Sequence, residues 1–107
     1  MNAGRLHHLV RIEQPTKSRT ASGDTQTVWE CFADAVYAQI TPLKGRELYN
    51  AHTILPEATH EVTIRYTPGV TSDMRLVHRD RILQIGDVPR NLHERDVTLT
   101  FLCIETT

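Results

Sequence analysis

The chain has 107 residues and a mass of 12.2 kDa, which fits one small domain over 1–107 and leaves no room for a second hydrophobic core. Twelve Lys+Arg stand against 13 Asp+Glu, for a net charge of −1 and a pI near 6.6, and that balance argues against a dedicated nucleic-acid surface or a polybasic membrane surface. Hydrophobic residues make up 39% and charged ones 23%, too apolar for a disordered chain; with no membrane-length apolar run and a polar N-terminus unlike a signal peptide, the expectation is a soluble, intracellular-type protein.

Two-residue alternation dominates the pattern. Leu6, His8, Val10 and Ile12 share one face of a first predicted strand. The stretch from Pro15 to Thr27 has no apolar side chain larger than alanine and reads as a mobile loop, because it has little to bury against its ordering entropy. Alternation returns from Asp34 to Ile40, with Val36, Ala38 and Ile40 on one side and Tyr37, Gln39 and Thr41 on the other.

In Gly45 to Leu55 the spacing of Leu48, Ala51, His52 and Leu55 predicts a short helix closed off by Pro56. A helix this short is marginal alone and needs the sheet or a neighbouring subunit to pack on. The segment from Lys44 to Glu57 is therefore expected to be mobile in an isolated subunit. A third strand runs from His60 to Tyr66 with Val62, Ile64 and Tyr66 inward, followed by a turn at Thr67-Pro68-Gly69.

Met74–His78 and Arg81–Ile85 form a hairpin around Arg79-Asp80; the connection lacks the favoured Asn-Gly or Asp-Gly pair, so its turn type stays open. A loop spans Val88 to Arg95. The last strand, Val97 to Ile104, sets Val97, Leu99, Phe101 and Cys103 toward the core and Leu102 and Ile104 on the opposite face. The fold class is mainly β: a small six- to seven-stranded antiparallel barrel or sandwich with one short helix and long loops.

Chemistry is hard to assemble from these residues. His7 and His8 point to opposite faces of a strand, and His52, His60, His78 and His93 sit singly, without CxxC, HxH or HExxH spacing. Ser18, Ser22 and Ser72 lie in polar segments with no nucleophile elbow. Cys31 and Cys103 read as small buried hydrophobes, and Glu94 and Asp96 flank Arg95 as a solvated loop. The five glycines form no phosphate cradle. The expectation is a protein with no catalytic residue, no metal and no cofactor. A single-strand-binding barrel would need clustered aromatics, yet Trp29, Tyr37, Tyr49 and Tyr66 do not line one strand pair. Arg75, Arg79 and Arg81 are interleaved with Asp73, Asp80 and Asp87, which reads as a salt-bridged solvent face.

The order of the pieces is more specific than any one of them. A Gly4-Arg5-Leu6 start runs into a strand; Ser22-Gly23-Asp24, Trp29, Ala35-Val36-Tyr37-Ala38-Gln39-Ile40-Thr41-Pro42-Leu43-Lys44-Gly45 and Ile64-Arg65-Tyr66 follow at set distances. This order resembles the head-tail joining proteins of tailed bacteriophages, also called head-closure or stopper proteins. The resemblance implies a structural virion component of a phage, prophage or gene-transfer agent, present in the host bacterial cytoplasm during assembly. It implies self-association into a ring, hexameric or dodecameric, with portal and adaptor proteins on the head side. The tail terminator or tail tube lies on the other side, double-stranded DNA is the cargo, and no membrane is involved.

The loop between the second and third strands would then face the channel, presenting Lys44, Arg46, Glu47, Tyr49, Asn50, His52 and Glu57. Its mixed signs suit retention of DNA without tight phosphate binding. Arg75, Arg79, Arg81, Leu102 and Ile104 form a candidate subunit interface, unless the N-terminal segment or the 45–55 helix of the same chain covers the two aliphatic residues. A tail-completion or terminator protein is the alternative within the same class, and a small ligand- or single-strand-binding barrel the alternative outside it.

Overall fold

A computed structural model of the chain describes residues 8–91, 94 and 97–106. The predicted strand start at Leu6 and His7 lies outside the described residues, as do His93, Arg95 and Asp96 of the loop after Val88. The elements run β1 (His8–Arg19), β2 (Thr25–Pro42), α1 (Gly45–His52), β3 (His60–Arg65), β4 (Arg75–His78), β5 (Arg81–Ile85), β6 (Arg90–Asn91) and β7 (Thr98–Glu105). All strands pair antiparallel in one sheet of order β3-β2-β1-β4-β5-β7-β6, and β3 also pairs with β7. The path β3-β2-β1-β4-β5-β7 therefore returns to β3, and the sheet closes on itself. The mainly β, antiparallel fold with one short helix is the one expected from the alternation.

Alternate residues of the closed part point inward and make the core. Ile12, Val62, Ile64, Leu76, Leu83 and Phe101 are completely buried, joined by Val10, Val36, Ala38, Met74, Ile85, Leu99 and Cys103. Two residues expected in this layer are not in it. Tyr66 is 37% and Val97 51% exposed; both lie just past a strand end, where the Tyr66 N–H donates to the Val97 carbonyl at 3.0 Å across the rim. The alternation continues in the sequence after the core has ended.

Pro15 to Thr27 is not a loop. β1 and β2 continue through it in register from Glu13↔Cys31 to Arg19↔Thr25, and only residues 20–24 turn. No large apolar side chain is required, because the backbone ladder satisfies the peptide groups and threonines at 16, 25 and 27 suit a pleated chain. β4 pairs with β1 only over Arg11–Glu13, so residues 14–19 form a two-stranded arm of about 20 Å. That reach matches the difference between the 48 Å long axis and the 27 Å short ones. Register shifts between Val10 and Glu13 leave Asp34 and Phe32 of β2 as extra residues at the arm's base, and bulges of this kind bend and twist a strand.

The β4–β5 connection is the predicted two-residue turn, closed by His78↔Arg81, with Arg79 at φ +59°. That backbone region costs a side-chain-bearing residue about 1–2 kcal/mol, whereas glycine's extra unfolded-state freedom costs roughly 0.5–1 kcal/mol. Arg79→Gly should stabilise the protein by about 0.5 kcal/mol and raise its melting temperature by roughly 3 °C, measured by thermal unfolding.

Candidate functional site

The segment between β2 and β3 is built as a clasp on the outer face of β7. Ala51 of α1 packs with Ala58 and Leu102, and Leu43 and Leu55 close around them. The Leu55 N–H donates to the Ala51 carbonyl at 2.8 Å and the Ala58 N–H to the Leu55 carbonyl at 3.0 Å. His52 Nε2–H donates to the Ala58 carbonyl at 3.0 Å, tying the helix end to the approach of β3. Leu55 sits directly on Gly86, where a Cβ would lie 2.6 Å from Leu55 Cδ2, so only glycine permits this contact without displacement. Glu47 in the first turn and His52 in the last are placed favourably for the helix dipole.

Leu102 is therefore 3% exposed and belongs to the interior of its own chain, which corrects its assignment to a subunit interface. The same-chain helix segment covers it. Ile104 is half-buried and lies opposite Gln84 in the β5–β7 ladder. Leu102→Ala should lower unfolding free energy by about 2–3 kcal/mol, read as a drop in the urea midpoint; an unchanged midpoint would mean that α1 does not rest on β7.

The clasp turns its other side to solvent. Lys44, Arg46, Glu47, Tyr49, Asn50, His52 and Glu57 are all exposed, Tyr49 by 74%, and so is Ile54, by 58%. Beside α1 a groove of about 220 Å³ brings Leu43, Ala51, Ile54 and Leu102 together with Glu47, Asn50, Glu61 and Arg90. Ile54 and Glu61 are not among the expected site residues: Ile54 lies between His52 and Leu55 but off the helical stripe, and Glu61 belongs to β3.

The three arginines do not make one edge. Arg75 Nε meets Glu13 Oε1 at 2.8 Å, its guanidinium stacks 4.1 Å above the Trp29 ring, and Arg11 Nε reaches Glu13 Oε2 at 3.3 Å. Arg81 grips Glu105 with both arms, Nε to Oε2 at 3.1 Å and Nη2 to Oε1 at 2.9 Å. Arg79 stands exposed in the turn. Of the ion pairs among the described residues, those of Arg75 and Arg81 reach across to β1 and β7 rather than to Asp73, Asp80 or Asp87, so these cations stitch strands together.

His60 lies beside the Arg81–Glu105 pair. Thr59 Oγ1 accepts the Glu105 N–H at 2.9 Å and donates to the Cys103 carbonyl at 3.4 Å. Its hydroxyl proton is thus committed, and His60 Nδ1–H donates to Thr59 Oγ1 at 2.8 Å. That tautomer leaves Nε2 to accept from Arg81 Nη2 at 3.5 Å. Burial holds the His60 pKa below the ordinary 6.5; Glu105, 3.6 Å away, opposes that and Arg81 adds to it. The hydrogen bond from Arg81 keeps the Glu105 carboxyl below its usual range. The unfolded chain thus binds a proton at His60 before the folded one does, so stability is full above pH 6.5 and is lost as pH falls through the folded value. His60→Gln should flatten the loss of stability between neutral pH and the window below 6.5, followed by urea midpoints across that range.

Burial pushes the Cys103 thiol up, out of the reactive range. Cys31 is exposed on β2, contrary to the expectation of a buried hydrophobe; it pairs with Glu13 at the base of the arm. The His8 and His78 rings meet edge-on at 5.0 Å, and among the described residues no three His, Cys, Asp or Glu side chains converge on a point. What the geometry offers is surface for contact: a closed sheet, a helical clasp with exposed charges and apolar tips, and a projecting arm.

These features describe a small, closed β-rich domain, and comparison with known proteins specifies its kind. The family model described as phage head completion protein matches residues 1–106. The chain belongs to that family, as the order of its sequence pieces implied, and its role is structural, in the closure of the phage head as part of the virion. No curated protein matches it. The solution structure of protein SF1141 from Shigella flexneri 2a is similar in fold, with a TM-score of 0.78 at 23% identity over 100% of this chain and 98% of that one. None of the described helices is long and apolar enough to cross a membrane.

Proposed function

We propose that the chain forms a ring at the head–tail junction, closing the DNA-filled head on one side and offering a platform for the tail on the other. The observation that carries this reading is the family match over residues 1–106. The partners are portal and adaptor proteins on the head side and tail terminator or tube proteins on the tail side, with double-stranded DNA held in the channel. The segment presenting Lys44, Arg46, Glu47, Tyr49, Asn50, His52 and Glu57 faces that channel. It mixes cations with anions, so it meets DNA without the strong phosphate attraction of an all-basic lining. Of the proposed subunit contacts, Arg79 and Ile104 keep surface for a neighbour, while Arg75 and Arg81 are engaged within the chain.

Particles assembled without the chain should contain DNA-filled heads that leak and carry no tails, and purified chain added back should restore both DNase resistance and tail attachment. Tyr49→Ser with Ile54→Ser should keep the wild-type melting temperature, since both side chains are exposed, and should reduce DNA retention. Heads that stay sealed without the chain while tails are left unfinished would assign it to tail completion instead.

A further inference from the structure

The arm has two strand edges, and the sequence treats them differently. The Thr20 N–H donates to the Asp24 carbonyl at 2.8 Å, so antiparallel alternation turns the peptide groups of Ser18/Gln26 and Thr16/Val28 toward each other and those of Arg19/Thr25, Lys17/Thr27 and Pro15/Trp29 outward. The Thr16 hydroxyl, donating to the Val28 carbonyl at 3.0 Å, reinforces the inner side. On β1 the outward residues are two long cations and a proline with no N–H, devices that keep an edge from being paired. On β2 they are Thr25, Thr27 and Trp29, uncharged residues with strand preference, each offering an N–H and a C=O.

Among the described residues nothing pairs with this side of β2 between Thr25 and Tyr37; β3 joins it only from Ala38 to Pro42. Thr25, Gln26, Thr27 and Val28 are exposed. Asp24 and Glu30, also exposed, flank the stretch and share a face. Lys17 and Arg19 pair with Thr27 and Thr25, on the opposite face, and do not neutralise them. A second β2 placed with Thr27 opposite Thr27 would set Glu30 of each copy against Asp24 of the other, a repulsive arrangement. The β1 edge of a second copy brings Pro15, which lacks a donor.

We propose that the outer edge of β2 from Thr25 to Glu30 accepts an extended segment of another protein as an added strand, a run of uncharged residues flanked by basic side chains that meet Glu30 and Asp24. Main-chain hydrogen bonds supply the attachment and the flanking charges the selection. The proposal goes beyond the ring reading and does not depend on it, since its test uses the isolated chain.

The probe is the capped peptide Lys-Thr-Val-Thr-Val-Thr-Lys, with the same peptide carrying Glu at both ends as control. Amide exchange followed by NMR should show the N–H groups of Thr25, Thr27 and Trp29 slowed about ten-fold by the lysine peptide and unchanged by the glutamate one. Thr27→Pro removes one outward donor and should abolish the effect at Thr25 and Trp29. Reversal of charge by Asp24→Lys with Glu30→Lys should switch the preference to the glutamate peptide, which tests the same edge if the proline variant does not fold. No slowing at saturating peptide, or equal slowing by both peptides, overturns the proposal. Slowing that depends on chain concentration alone overturns it in favour of a second copy.

Discussion

Closure of the sheet depends on β7, which must bury both of its faces. Against β3 it pairs Val62↔Phe101 and Ile64↔Leu99 on the core side. On the outer side Thr63 and Thr100 hydroxyls meet at 3.2 Å, and Glu61 lies opposite Leu102. Its other edge is shared between β5 near the C-terminal end and β6 near the start. A strand with Phe101 beneath it and Leu102 above it cannot sit at a solvated surface without exposing one of them. The clasp of α1, Leu55 and Ala58 is the chain's answer, and Gly86 gives way so that Leu55 can reach its place.

This dependence explains which parts were legible in the sequence. Strands β3, β4, β5 and β7 were readable because each alternates over a core that buries one face completely, so the pattern of Val62 and Ile64 is dictated by burial. The helix was readable from its stripe, but its purpose was not: the same Leu102 that looked like an interface residue is what α1 covers. One sequence feature, an aliphatic on the wrong face of a strand, has two physical solutions, and only the packing distinguishes a neighbour's surface from the chain's own. The arm was missed for a different reason. Its order comes from backbone pairing between remote residues such as Lys17 and Thr27, and a scan for apolar side chains is blind to that.

The ion pairs follow the same logic. Sequence neighbours such as Asp80 and Arg81 suggested local neutralisation, yet Arg81 is committed to Glu105 and Arg75 to Glu13. Both pairs cross strand seams, β5 to β7 and β4 to β1, and Arg75 adds its stacking on Trp29 at the base of the arm. Planar guanidinium groups hold such geometry better than ammonium groups do, which gives a physical use to a chain with only two lysines, Lys17 and Lys44. Those two lie outside the seams, one on the arm and one at the entry to α1.

The division between a closed body and an open arm also bears on assembly. A chain of this size has a small margin of stability, so surface that waits for a partner cannot be made from core residues without putting the fold at risk. Here the exposed elements draw little from the core. The arm beyond Glu13 is held mainly by its own ladder, and α1 contributes a single buried helical residue, Ala51. Changes on the exposed side of either element should therefore disturb folding little. Changes at Leu102, Leu55 or Gly86 do the reverse, since these positions carry the load between the clasp and the sheet. The separation rests on where the aliphatic side chains lie: among the described residues, the fully buried ones, Val10, Ile12, Val62, Ile64, Leu76, Leu83 and Ile85, all belong to the closed ladder.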